Sequence, residues 1–153
     1  GAAMTTFKIP VSVLVILYSS EADVLLLERA DHPGFWQSVT GSLDDEKEPL
    51  VDAACREVFE ETGLAIASAD MEDWGFSQNY EIFAHWRHRY APGVTENTEH
   101  VFSSRISRAS AVRLSAREHL RWKWLGLEDA AEACFSWTNA KAIRELGRRQ
   151  FSS

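Results

Sequence analysis

Apolar residues crowd the start of the chain in two runs, Ile9–Tyr18 and Val24–Glu28, separated by the polar stretch Ser19-Ser20-Glu21-Ala22-Asp23. Short β-branched and leucine-rich runs with such a break predict two strands joined by a hairpin loop. A third short strand is expected over Trp36–Thr40, entered through the turn signal His32-Pro33-Gly34. The period then changes. Leu50, Ala54 and Val58 recur every four residues and predict a helix over Pro49–Thr62. Pro49 suits its first turn and Gly63 suits the position just past its end.

Further along, Trp74–Phe76 and Tyr80–Tyr90 read as strands, the second with Phe83, His85, Arg87 and Arg89 on one face and Ala91-Pro92-Gly93 at its end. Glu99–Ile106 and Arg121–Leu125 add strands, and Leu127–Cys134 and Thr138–Arg149 add helices. Strands of mixed connection with a few helices predict an α/β (α+β) sandwich.

At 153 residues, without repeat, low-complexity tract or linker, the chain reads as one domain over residues 4–153. Gly1-Ala2-Ala3 ahead of Met4 reads as an added leader and is set aside. The net charge of −7 argues against a nucleic-acid partner. The longest apolar run is too short to span a bilayer and lacks the flanks of a secretory signal. Cys55 and Cys134 lie far apart and form neither a disulfide framework nor a metal cluster, so a reducing, cytoplasmic setting is expected.

The candidate chemistry lies in Gly41–Leu64. Glu57, Glu60 and Glu61 are spaced i, i+3, i+4, which puts three carboxylates on one side of the helix about 5–6 Å apart. At an effective dielectric near 20, two charges at that distance repel by roughly 3 kcal/mol. They also crowd the C-terminal half of the helix, where the macrodipole disfavours them. A divalent cation would account for the placement, and an all-oxygen set suits Mg²⁺ or Mn²⁺. A solvated acidic face is the alternative reading of the same spacing.

From Glu48 the chain runs through seven residues to Arg56-Glu57-Val58-Phe59-Glu60-Glu61-Thr62-Gly63-Leu64. This resembles the signature of the Nudix hydrolase family: a glycine, a spaced glutamate, then Arg-Glu-apolar-x-Glu-Glu-x-Gly-apolar. Six residues rather than the family's five separate Gly41 from Glu48, which reads as one extra residue in the acidic loop Asp44-Asp45-Glu46-Lys47. Within that family the segments Phe35–Ser42, Tyr80–Phe83, Arg87–Thr95, Glu118-His119-Leu120, Lys123-Trp124-Leu125 and Ser136-Trp137 are similar to the bacterial pyrophosphatases that act on dihydroneopterin triphosphate.

The resemblance implies a Nudix-type α/β/α sandwich with a mixed sheet and the signature loop-helix. It also implies a metal-dependent hydrolase that releases pyrophosphate and the monophosphate, in folate biosynthesis. Glu57, Glu61, Glu118 and Glu60 would bind the metal, and Arg56 would orient a carboxylate through its fork. Lys8, Arg29, Thr40, Tyr80, Glu81, Ile82, Phe83 and Ser136 would contact substrate. The partner is then a small-molecule triphosphate, with no membrane contact, and the protein a monomer or homodimer.

Other residues carry less. His85 and His88 fall on opposite faces of the expected strand, and with His100 and His119 they suggest no histidine metal centre. Cys55 has no marked basic partner that would make it a nucleophile. Arg87, Arg89, Arg105, Arg108, Arg113, Arg117 and Arg121 form a basic cluster that reads as a solvated face or, interleaved with Trp86 and Tyr90, as an anion or subunit contact. A Nudix hydrolase acting on nucleoside triphosphates, dinucleoside polyphosphates or nucleotide sugars remains a second reading, and a non-catalytic Nudix ligand-binding module a third.

Overall fold

The structure, a computed structural model, describes residues 6–152; Gly1–Ala3, set aside above, lie outside them. Strands β1 (Val11–Tyr18) and β2 (Asp23–Arg29) form the expected hairpin, with Tyr18 opposite Val24. β1 is buried on both faces, which is why its sequence is a near-continuous apolar run and not an alternation. Val13, Val15 and Leu17 pack towards helix α1 (Leu50–Thr62). Leu14, Ile16 and Tyr18 pack towards helices α2 (Leu127–Ala133) and α3 (Trp137–Gln150) on the other side. The result is a mixed sheet between helical layers. β6 (Glu96–Arg105) runs parallel to β1, and β5 (Glu72–Glu81) pairs antiparallel with β6. β7 (His119–Gly126) pairs antiparallel with β2.

The third expected strand is two. β3 (Trp36–Gln37) pairs with β2, and β4 (Val39–Ser42) pairs with β1. The chain changes partner at Ser38, inside a fork that opens between β1 and β2. Asn139 of α3 holds that residue at two points: its Oδ1 accepts the Ser38 N–H at 2.8 Å, and its Nδ2 donates to Ser38 Oγ at 3.0 Å.

The strand expected over Tyr80–Tyr90 does not form. β5 ends at Glu81, and Ala84–Arg89 is a 3-10 helix. Turn bonds from Trp86 N–H to Phe83 O and from Tyr90 N–H to Arg87 O replace a ladder, and Arg87 Nε donates to Ile82 O. Phe83, His85 and Trp86 therefore gather on one another instead of alternating across a sheet. The expected Trp74–Phe76 strand is the start of the same β5, interrupted by a register shift between Asp73 and Ser77, where Gly75 takes φ 63°.

Helix α1 matches its pattern closely. Pro49 precedes its first residue, and Gly63 closes it in the left-handed region, φ 74°, with its N–H donating to Phe59 O. The buried face contains more than the apolar stripe: beside Ala54 and Val58 it carries Glu57 and Glu61. Among the described residues no helix is long and apolar enough to cross a membrane. Cys55 and Cys134 are free thiols, and burial pushes Cys134 up to about 12.

Candidate active site

Two clefts of about 570 and 590 Å³ meet in the fork of the sheet. Both are lined by Lys8, Arg29, Gln37, Thr40, Gly41, Ser42 and Arg89, so they share a floor. One continues into acidic side chains, the other into aromatic ones.

The acidic half is built on α1. Glu61 is 2% exposed and Glu57 8%, whereas Glu60 stands at the rim. The solvated-face alternative is thus excluded for the first two. Gly41 on β4 makes room for them: a Cβ at this position would fall inside the Glu57 carboxyl group. Burial raises the pKa of Glu61 well above its ordinary value, and the adjacent Glu57 carboxyl adds to the shift; burial raises Glu57 as well. Oε1 of Glu61 is buried and receives no hydrogen bond from protein. A like-charged buried pair with an orphaned oxygen is costly in itself and fits a bound cation. Among the described residues no three His, Cys, Asp or Glu side chains form a ready-made cage. Glu57 and Glu61 could hold such an ion, with Glu60 and Glu118 lining the same cleft.

Arg56 lies behind this pair. Its guanidinium donates from Nε and Nη2 to the two oxygens of Glu48, from Nη1 to Glu57 Oε1 at 2.8 Å, and from Nη2 to the Ser42 carbonyl. The expected bidentate pair is therefore present, and its partner is Glu48. The extra loop residue leaves that glutamate in reach.

At the shared floor, Arg29 forms a fork with Asp31 and lies over the Trp86 ring at 4.3 Å, and Arg89 reaches the same Asp31 at 3.2 Å. Lys8 keeps an exposed stem, but the cleft walls crowd its ammonium. Desolvation first, then Arg89 and Arg29, lowers its pKa. The Thr40 hydroxyl donates to Val13 O at 3.0 Å, so its proton is committed to the backbone. His119 is buried, with Nε2 3.7 Å from Glu61 Oε1 and 3.4 Å from Gln37 Nε2. Burial lowers its pKa to about 4, so at neutral pH it is an uncharged neighbour of the acids.

All eight residues expected to contact substrate line the aromatic cleft: Lys8, Arg29, Thr40, Tyr80, Glu81, Ile82, Phe83 and Ser136. Its wall is a ring cluster in which Phe35 stacks on Phe135 at 4.5 Å and Trp86 packs edge-on to both. Gln37, Glu99, Phe135 and Asn139 line the clefts without a signal of their own in the sequence, Trp86 and Arg89 were marked there only as part of the basic cluster, and His119 was set aside only as a metal-centre histidine. The expected basic cluster is not one face. Arg87, Arg89 and Arg117 reach the clefts, Arg87 while paired with Glu81, but Arg108 pairs with Glu21 and Asp23, and Arg121 with Glu28.

The family model described as the NUDIX domain matches residues 8–146. Over 143 residues the chain is 43% identical to the dihydroneopterin triphosphate diphosphatase of Escherichia coli K12, covering 92% of this chain and 93% of that one. It is 39% identical over 145 residues to the dihydroneopterin triphosphate diphosphatase of Haemophilus influenzae, covering 93% and 90%. Among solved structures, the E. coli dihydroneopterin triphosphate pyrophosphohydrolase superposes with a TM-score of 0.86 at 41% identity, over 94% of this chain and 99% of that one.

Proposed function

The chain belongs to the Nudix hydrolase family, and from that premise we propose that it hydrolyses 7,8-dihydroneopterin triphosphate to the monophosphate and pyrophosphate. The observation that carries this reading is the continuity of the two clefts across a cationic floor. A triphosphate fits over Lys8, Arg29 and Arg89 with its reacting end on Glu57 and Glu61, while a planar ring fits against Phe83, Trp86 and Phe135. A volume near 570 Å³ is in the range of small-molecule sites. The relatives named for this substrate cover nearly the whole chain and point the same way.

Nudix hydrolases generally work with a divalent cation; the all-oxygen donor set favours Mg²⁺, with Mn²⁺ as a substitute. When bound, such an ion neutralises phosphoryl charge and lowers the pKa of the attacking water. Glu57 and Glu61 would hold it, joined by Glu118 from the turn before β7 and by Glu60 at the rim. Arg56 keeps Glu57 and the Ser42 carbonyl in register through its fixed fork. Glu60 or Glu118, both exposed, takes the proton from the attacking water. Lys8, Arg29 and Arg89 face the negative charge that shifts onto pyrophosphate as the P–O anhydride bond breaks. The two free cysteines are consistent with action in the cytoplasm.

The test is a product assay with Mg²⁺ over dihydroneopterin triphosphate, the common nucleoside triphosphates, a dinucleoside polyphosphate and a nucleotide sugar. The expected result is the highest kcat/KM on the pterin substrate, with pyrophosphate and no orthophosphate from the first turnover. A tenfold higher kcat/KM on another compound, roughly 1.4 kcal/mol of preference, overturns the substrate. No hydrolysis of any of them leaves the ligand-binding module as the reading.

A further inference from the structure

Glu99 lies at the inner end of the aromatic cleft, 4% exposed, and no step proposed above uses it. It sits mid-sheet, opposite Ser12 of β1 on one side and Gln78 of β5 on the other. Two neighbours donate to it, the Thr138 side chain and Gln78. Gln78 Nε2 approaches Glu99 Oε1 only at 3.4 Å and spends its better bond, 3.0 Å, on Thr138 O. Burial raises the Glu99 carboxyl to about 7, while Thr138 and Gln78 pull it down.

Two acceptors nearby, unlike Glu99, lack a donor. Gln78 Oε1 and Asn97 Oδ1 are buried and receive no hydrogen bond from protein. Asn97 faces Tyr80, a cleft residue, across the β5–β6 ladder, two positions from the Gln78–Glu99 pair. The inner end of the cleft therefore presents one buried carboxyl, Glu99, beneath a wall of rings, while Gln78 and Asn97 lie behind it and outside the cleft lining. A buried carboxyl in a sheet is expensive, and buried acceptors are normally paired. Of these groups Glu99 lines the cleft, where a flat ligand edge made of N–H donors can meet its carboxylate.

We infer that Glu99 is the ring-reading residue of this enzyme, its carboxylate accepting two parallel hydrogen bonds from the 2-amino group and adjacent ring N–H of a 2-amino-4-oxo pyrimidine edge. The pterin of the proposed substrate has that edge, and so has guanine; adenine does not. A carboxylate offers two acceptors side by side and matches two donors in a plane. The inference rests on the pterin triphosphate reading for the placement of the ring, but its chemistry is tested separately.

Parent and Glu99→Gln are compared with Mg²⁺ on dihydroneopterin triphosphate, GTP and ATP. Equilibrium dialysis of GTP and ATP in chelator gives a readout free of turnover. Glutamine is near-isosteric and uncharged, so the variant should fold with an unchanged or higher Tm, but it sets a donor against one of the ring donors. The parent should favour both 2-amino-4-oxo rings over adenine. The variant should lose roughly 10- to 100-fold in kcat/KM and GTP affinity, and less than about threefold with ATP. Equal losses on all three substrates, an untouched ring preference, or a parent without one, overturns the role of Glu99. A parent that turns over GTP but not the pterin substrate, with guanine preference collapsing in Glu99→Gln, overturns the substrate reading and leaves the ring-reading role standing.

Discussion

Glu48 and Arg56 meet fork to fork, with Nε 2.9 Å from one carboxylate oxygen and Nη2 3.0 Å from the other. The loop between Gly41 and Glu48 folds back on itself to allow this, through Glu48 N–H to Asp45 O and Asp44 N–H to Glu48 Oε1. Lysine can place a charge at position 56 but cannot bond both oxygens of Glu48 while also reaching Glu57 and Ser42. Arg56→Lys should therefore lower kcat by about 10- to 100-fold, the worth of one or two charge-assisted bonds, with KM changed little. A kcat within twofold of the parent shows that charge alone suffices.

Gly41→Ala tests the space beneath Glu57. Its Cβ would occupy the Glu57 carboxyl, so that side chain must move. Divalent-cation affinity, followed by calorimetry, should fall together with activity, while a Gly126→Ala control, at a glycine with open space around it and φ −59°, should leave both unchanged. Normal cation binding in Gly41→Ala would separate Glu57 from the metal.

Glu61→Gln should abolish turnover and, in chelator at pH 8, raise Tm. Removing the buried charge relieves desolvation and repulsion from Glu57, so the gain should be of order 1 kcal/mol or more, or several degrees for a domain of this size. Added Mg²⁺ should stabilise the parent and leave the variant little affected. A lower Tm for the chelated variant would count against strain at the pair.

Glu28 supplies a pH signature outside the acid pair. The Arg121 guanidinium first, then the Gly34 N–H, holds its carboxyl below the ordinary range despite desolvation. A depressed folded-state pKa gives stability that is present above the unfolded value and lost as pH falls through the folded one. The Tm gap between parent and Glu28→Gln should be full at pH 7 and narrow progressively as pH falls below about 4. A gap of the same size at pH 7 and pH 3 assigns the effect to packing.

Glu118 separates the narrow substrate class from the general hydrolase. It is an exposed side chain that lines the acidic cleft and contributes to the shift at Glu61 through its charge. Glu118→Ala should lower kcat at least tenfold, about 1.4 kcal/mol of barrier, with KM much less affected. Unchanged kinetics would make it a solvated turn residue.

The elements with one dominant pattern were legible in the sequence. β1, β2 and α1 follow from an apolar run and a four-residue repeat, and the three helix glutamates from their spacing. Residues 82–90 were not, because alternating polarity there coincides with rings that prefer one another and with turn bonds the period cannot reveal. The split at Ser38 also escaped, since its cause is Asn139, 101 residues away. Glu99 could be placed only once β5 and β6 fixed their register and set it opposite Gln78. His119 was weighed in the sequence only as a metal-centre histidine, and its burial beside Glu61 follows from the fold.

The fork at Ser38 also divides inheritance. On the proposed reading hydrolysis draws on α1, Gly41 and the turn before β7, whereas β5, β6, the 3-10 helix and the start of α3 line the cleft assigned to the ring. The two halves have only the floor residues in common. Substitutions on the ring side can thus retune which molecule is accepted while the bond-breaking side stays intact, and a lineage can change diet without reinventing its chemistry.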